Sequence, residues 1–456
     1  MNTLAWRPTL AATALMALVM GSRSAFGLFV SPLNTATGIG LAGISLAAAI
    51  GQLGMGIGQP IVGHLAGRHG AARVIVVGAG LLACATAAVV LADSAFTLAL
   101  ALTAGAVAGT AVGSNALLVG EIGRRVPAAQ RGLAVGLVGA GGSAGQLLLS
   151  PATQLTIDAQ GWAVAMLATA GLCLLAWPLA LAFRGPAPTP EPAAVADAGT
   201  LGRILRQRRF WCLAGAFGLC GFHIGFLGTH MPGVIERCGL PASLSGTWLA
   251  VLGAANIAGS VGIGFALRRW RPAPLLVGLF ALRGLAVAAL LALPPTAGVL
   301  LAFAVVAGLS YMAVLPPIAQ LLGRHFGAQR LGTLMGVAML VHQVGSFASV
   351  WLGGWAAEAT GSDRLLWTID IALALLAMAL LWPRSATALL RTLRATALLR
   401  TLRATALLRT SRATALLKAC GATMLLCTSS AGTAPQRTAA AWPVRAGAAT
   451  AVPMEA

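Results

Sequence analysis

From residue 9 to residue 383 the sequence is written in apolar runs of about 20 residues, the length a helix needs to cross the hydrocarbon core of a bilayer. Twelve such runs can be placed, at about 9–30, 41–65, 71–92, 95–120, 132–155, 161–183, 210–235, 242–267, 273–293, 297–322, 331–357 and 365–383. Runs of this length predict helices, whereas a membrane barrel would alternate polar and apolar residues over segments of about 10. A soluble fold is excluded on the same grounds, because only 9% of residues are charged and 58% are hydrophobic. The expected fold class is therefore an all-α membrane protein of twelve transmembrane helices.

Charge reports how those helices are threaded. The formal net charge is +20, but the segment from Arg384 onward carries ten basic residues against Glu455 and supplies +9 of it. The rest lies in short loops, without the basic face and interleaved aromatics that nucleic acid requires, so no nucleic-acid partner is expected. If the N-terminus is cytoplasmic, sixteen arginines fall in cytoplasmic segments and two, Arg237 and Arg364, fall outside. That bias satisfies the positive-inside rule and predicts a multi-pass protein with both termini in the cytoplasm. The first run has the basic start of a signal peptide, but Arg23 interrupts the would-be cleavage region and eleven spans follow, so it is read as a retained span. The seven cysteines are irregularly spaced and odd in number, which suggests no disulfide framework.

A repeat divides the chain. Gly21, Arg23 and Phe26 are echoed by Gly221, His223 and Phe226. GHLAGRHGAAR from Gly63 to Arg73 returns as GFALRRWRP from Gly264 to Pro272, and Gln130, Arg131 and Gly136 return as Gln329, Arg330 and Gly336. Three landmarks at an offset near 200 predict two pseudo-symmetric six-helix halves, residues 1–183 and 210–383. Between them, residues 184–209 hold a proline-rich stretch and the basic LGRILRQRR, the composition of a cytoplasmic linker. Residues 384–456 form a low-complexity basic tail in which ATALLRTLR recurs every nine residues. That period turns the leucines to opposite helix faces, so the tail is read as outside the core fold.

Ionisable groups inside the spans are few. A guanidinium at mid-bilayer costs roughly 2.5–3.5 kcal/mol on insertion scales, so Arg23 is expected to face a wet pathway between the halves, with His223 opposite it. Histidine titrates near neutral pH, which makes His223 and His342 the candidate proton-coupling residues. His230 lies two helical turns from His223 and reads as an outer-mouth residue. Phe26, Tyr311 and Gln343 complete the candidate substrate-binding set of Arg23, His223 and His342. Arg283 and Asp370 are expected to form a buried ion pair of structural value. Gly105, Gly109 and Gly113 in span 4, and Gly141, Gly142 and Gly145 in span 5, predict close helix packing, while Pro316 and Pro317 predict a kink or break in span 10. Gly38, Gly40 and Gly43 satisfy GxGxxG, and Gly141, Ser143 and Gly145 satisfy GxSxG, but neither stands in a strand-turn-helix context.

GHLAGRHGAAR resembles the loop signature of the major facilitator superfamily, GxLaDRxGxRR: Gly63, Leu65, Arg68, Gly70 and Arg73 match, and Gly67 replaces the acid. The resemblance covers residues 9–383 and implies a gating role for Gly63, Arg68, Gly70 and Arg73, with the inter-helix charge lock altered at Gly67. The segment Arg23, Phe26, Gly27, Phe29, the RGLAxG of Arg131 to Gly136 and the HQxG of His342, Gln343 and Gly345 with the later Gly353 and Gly354 are similar to bacterial monocarboxylate-carrier-like members. Eukaryotic monocarboxylate carriers place an aspartate and an arginine in span 8 where this chain has Asn256 and Ser260. The resemblance implies a bacterial inner-membrane secondary transporter, monomeric, without cofactor or metal, and not an enzyme. Its expected cargo is a small organic anion such as a monocarboxylate, with H+ as the candidate coupling ion in symport or antiport. The alternative is an exporter of hydrophobic or cationic compounds on the same fold.

Overall fold

The computed structural model describes residues 3–185, 198–327 and 330–381. The repeat tail, residues 186–197 of the linker and Gln329 of the third repeat landmark lie outside the described residues. Among the described residues there are eleven helices long and apolar enough to cross a membrane, and twelve crossings once the bent pair at the start is counted as one.

Span 1 departs from the single helix expected over 9–30. It is two helices, Thr3–Ser24 and Gly27–Thr37, meeting at a 45° bend over Ala25 and Phe26. The bend seats Gly27 against span 7, where any Cβ would lie 2.5 Å from the Gly228 carbonyl oxygen. Span 4 breaks at Ser114, between Ala95–Gly113 and Asn115–Arg125, and the Ser114 side chain caps the second helix at the Leu117 N–H. Span 10 breaks over residues 311–314, just before Pro316 and Pro317 at the start of Leu315–Phe326, because proline cannot donate the bonds that would continue the first helix.

The remaining spans are Leu41–His69, Ala71–Leu91, Gln130–Gln160, Trp162–Phe183, Arg208–Arg237, Ser243–Arg269, Pro272–Ala292, Leu331–Thr360 and Arg364–Leu381. Several exceed the apolar runs by a turn or two. Hydropathy marks the lipid boundary, and the helices continue past it into polar ends. Span 7 is the most enclosed, with 72% of its apolar window buried, whereas span 9 has 28% buried and turns residues such as Leu285 outward. Lipid is the natural partner of that outer belt.

The twofold repeat is visible in how glycines let helices cross. A Cβ on Gly21 would meet the Gly145 carbonyl at 2.6 Å, and one on Gly145 would collide with the Ala17 carbonyl, so spans 1 and 5 touch backbone to backbone. Two hundred residues later Gly221 meets the His342 carbonyl and Gly345 meets the Gly218 carbonyl, joining spans 7 and 11 in the same way. In span 4, Gly113 packs on Val19 and Gly105 on Ala85, the close approach its glycine spacing predicts.

Spans 2 and 11, spans 5 and 8, and the second helix of span 1 with span 7 carry the contact between the halves, and that contact is one-sided. Toward the acidic end Gly354 sits on Ser45 and Leu41, and Gly246 on Gln154 and Pro151. At mid-depth Gly56 meets Gln343, and Asn256 donates to the Ser143 hydroxyl at 2.8 Å. Toward the arginine-rich end, no neighbouring helix among the described residues comes within 4 Å of the Cβ position of Gly63, Gly67, Gly136, Gly262, Gly264 or Gly336. The halves are therefore closed together at the acidic end and splayed apart at the basic end.

Candidate functional site

Arg23 lies two residues before the bend of span 1, at the depth where the two halves meet. Its guanidinium donates to the Gln52 side-chain oxygen and reaches the Met55 sulfur at 2.6 Å, both on span 2. Gln343 on span 11 donates to the Gln52 carbonyl at 3.3 Å and lies 3.3 Å from His342 Nδ1 through its own side-chain oxygen. The His342 ring rests on Phe217 of span 7, centroid to centroid 4.6 Å. Phe26 packs beside this group with Ala48, Ala49, Phe347 and Val350. Arg23, Phe26, His342 and Gln343 are thus brought together, and Gln52 and Met55 join them. Gln52 is legible as a polar residue inside a span; its partnership with Arg23 depends on how spans 1 and 2 dock.

Tyr311 sits at the break of span 10, its hydroxyl 3.5 Å from the Ile224 carbonyl and close enough to Arg23 for the two to interact electrostatically. The next residue, Met312, donates its N–H to Asn256 at 3.0 Å, and Asn256 in turn reaches Ser143 on the other half. A broken helix exposes backbone groups that need partners, and here Asn256 of span 8, which also bonds Ser143 across the halves, supplies one of them.

His223 does not face Arg23. Its Nδ1 lies 2.5 Å from Asp370 Oδ2, tying span 7 to span 12 within the second half. This corrects two expectations. Asp370 pairs with His223 and not with Arg283, and Arg283 instead donates to Ser310 Oγ at 3.2 Å, to the Ser310 carbonyl at 2.5 Å and to the Tyr311 carbonyl at 2.8 Å. Carbonyls freed by the span 10 break are the better acceptors because they are close and otherwise unpaired.

His230 is buried with Nε2 2.8 Å from the Val350 carbonyl, and it lines a cavity of about 320 Å³ with Ser31, Asn34, Glu236 and Arg237 toward the acidic end. Above it, the Glu358 carboxylate of span 11 accepts from the Ala42 N–H at 2.7 Å. That contact ties one half to the first turn of span 2 in the other, where the helix dipole favours a negative charge. At the basic end, Gly70 has φ 84° and turns span 2 into span 3, while Gly63, Arg68 and Arg73 are exposed. Among the described residues the acid at this end is Glu121, buried and paired with Arg124 and Arg125; Arg125 also donates to the Phe183 carbonyl at 2.9 Å. The i, i+3, i+4 spacing of Glu121 with these arginines is the signal that would have found it.

The Major Facilitator Superfamily family model matches residues 12–350. Human monocarboxylate transporter 11 is 30% identical over 255 residues, which cover 51% of this chain and 52% of the relative. The chain thus spans about half the length of that curated relative. A bacterial homologue of the human lysosomal transporter Spinster, solved in an inward-facing and unoccupied conformation, superposes with TM-score 0.67 at 16% identity, covering 85% of this chain and 98% of that one. A D-xylose–proton symporter gives TM-score 0.66 at 16% identity, covering 83% and 97%. A nucleoside transporter gives 0.70 at 12% identity, covering 82% and 98%. At these identities the solved structures establish the shared fold alone.

Proposed function

This chain belongs to the Major Facilitator Superfamily, and from that premise we propose that it is a secondary active carrier of a small organic anion such as a monocarboxylate. The carrying observation is Arg23. It lies at a helix bend between the halves, its hydrogen-bond partners are Gln52 and Met55, and among the described residues no carboxylate pairs with it. A guanidinium removed from bulk water without a counter-charge is costly, and a bound carboxylate offsets that cost through two parallel N–H···O bonds. The same free positive charge argues against a cationic cargo.

The arrangement of the halves supports alternating access. With the arginine-rich ends in the cytoplasm, as the positive-inside bias supports, the splayed form opens Arg23 to the cell interior, and rocking of the halves would expose it to the other side. On this reading the protein sits in a bacterial inner membrane with both termini cytoplasmic, acts as a monomer, and couples anion movement to protons.

Lactate and pyruvate are expected to raise the melting temperature of the purified protein, by the equivalent of about 2.7 kcal/mol at a hundred times Kd. Arg23→Ala should show no such rise. Stabilisation by hydrophobic cations and not by carboxylates would replace this reading with that of an exporter.

A further inference from the structure

We propose that His223, Asp370 and Arg283 form the proton-binding site of the carrier, and that its occupancy acts on the transport pathway through the hold of Arg283 on the broken segment of span 10. The inference rests on the anion-carrier reading above and assigns it a coupling site away from Arg23.

Three observations converge. The His223–Asp370 pair is buried between spans 7 and 12, with both residues less than 5% exposed. His223 Nε2 and Arg283 Nη1 are both buried polar atoms without a hydrogen-bond partner. Both residues line, with Leu219, Phe280, Asp370 and Ala374, a space of about 10 Å³, the scale of a single water molecule. Unpartnered buried nitrogens are uncommon because each costs roughly 1–3 kcal/mol, so two meeting around one small space mark a place where a proton or a water is to be received.

The charge balance says what a proton would do. With His223 neutral, its Nδ1–H donates to Asp370, and the carboxylate faces the Arg283 charge with no other cation in the cluster. A proton arriving at the Nε2 lone pair forms an N–H bond and makes an imidazolium. Asp370 then balances His223, and Arg283 is left beside a like charge. The ionisable groups the structure places against His223 are Asp370 on span 12 and Arg283 on span 9. Arg283 is the one among them whose other donors are committed to the span 10 break, through Ser310 and Tyr311. Moving that guanidinium moves the carbonyls it holds. The same break carries Tyr311, within electrostatic reach of Arg23, and Met312, whose N–H is bonded through Asn256 to Ser143 of the other half. A proton at His223 thus has a short mechanical route to both the anion site and the contact between the halves.

Two measurements test this. Infrared difference spectra of the purified carrier between acid and alkaline pH need no transported solute; imidazole bands present in the native protein should be lost in His223→Gln, and carboxylate bands should be altered in Asp370→Asn. In proteoliposomes with labelled lactate as the probe, His223→Gln and Asp370→Asn should fail to accumulate lactate above equilibrium under an inward acid gradient, while lactate exchange stays above that of protein-free vesicles. Arg283→Lys keeps the charge and loses the fork to Ser310 and Tyr311, so it should retain the infrared bands and lose accumulation. Native-like accumulation by His223→Gln, unchanged bands in that variant, or loss of exchange together with accumulation in both His223→Gln and Asp370→Asn would overturn the proposal. If the native protein moves no carboxylate, the anion reading fails, and the infrared bands decide the proton site independently.

Discussion

Proteoliposomes carrying Arg23→Ala are expected to take up labelled lactate roughly 30- to 4,000-fold more slowly than those carrying the native protein, the range that follows from losing about 2–5 kcal/mol at a buried, hydrogen-bonded charge pair. The unliganded variant should be as stable as the native protein or slightly more so. Its guanidinium is held by an amide oxygen and a thioether, and removing a charge that lacks a carboxylate partner relieves a desolvation cost. This pairing of outcomes separates a transport role from a structural one, since a structural arginine would lower the melting temperature when removed. Arg23→Lys should fall between the two in uptake, because a point charge keeps the attraction but not the fork geometry.

Gly345→Val is expected to abolish the folded carrier. The first carbon it adds collides with the Gly218 carbonyl, and the Phe222 backbone nitrogen lies only 3.1 Å away, so relief requires spans 7 and 11 to separate. Overpacking against flexible side chains costs about 1–3 kcal/mol, and a backbone neighbour cannot step aside as a side chain can. A loss above about 3 kcal/mol takes a large share of a typical total of 5–15 kcal/mol, so monodisperse protein should be recovered poorly on size-exclusion chromatography. Gly145→Val should behave alike against Ala17. Gly336→Val, where nothing lies within 4 Å, should leave yield and melting temperature close to native. Equal losses at 336 and 345 would contradict the packing described for spans 7 and 11.

The number and order of the spans were legible because lipid imposes a length and a composition on every helix that crosses it, and those demands are local. The break in span 10 was legible too, from Pro316 and Pro317. The bend in span 1 was not, since it answers to a contact made with a distant part of the chain, where the Gly228 carbonyl presses on Gly27. Gly145 could be read as a packing residue, but which backbone it, Gly21, Gly221 and Gly345 each meet is a property of the assembled bundle. Arg23 stood out by its cost in a membrane, and that cost says a partner is required without saying which. His223 illustrates the limit most clearly. Its place in the repeat matches Arg23, yet a single helix sequence does not fix which neighbour each face of span 7 meets, and Asp370, 147 residues on, claims the ring. Arg283 and Asp370 were both visible as intramembrane charges, and the expected pairing failed because the carbonyls freed at Ser310 and Tyr311 appear only once span 10 is broken.

In alternating access the two halves rock about the Arg23 site, closed here at the acidic end and open at the basic end. Spin labels at His64 and Thr333 would report the separation of spans 2 and 11 at the basic end, and labels at Thr35 and Ala359 would report the acidic end. Added lactate is expected to shift the first distance distribution shorter and the second longer, and Arg23→Ala is expected to remove both shifts. Distances that stay fixed with every carboxylate tried, or that lengthen or shorten together at the two ends, would contradict it.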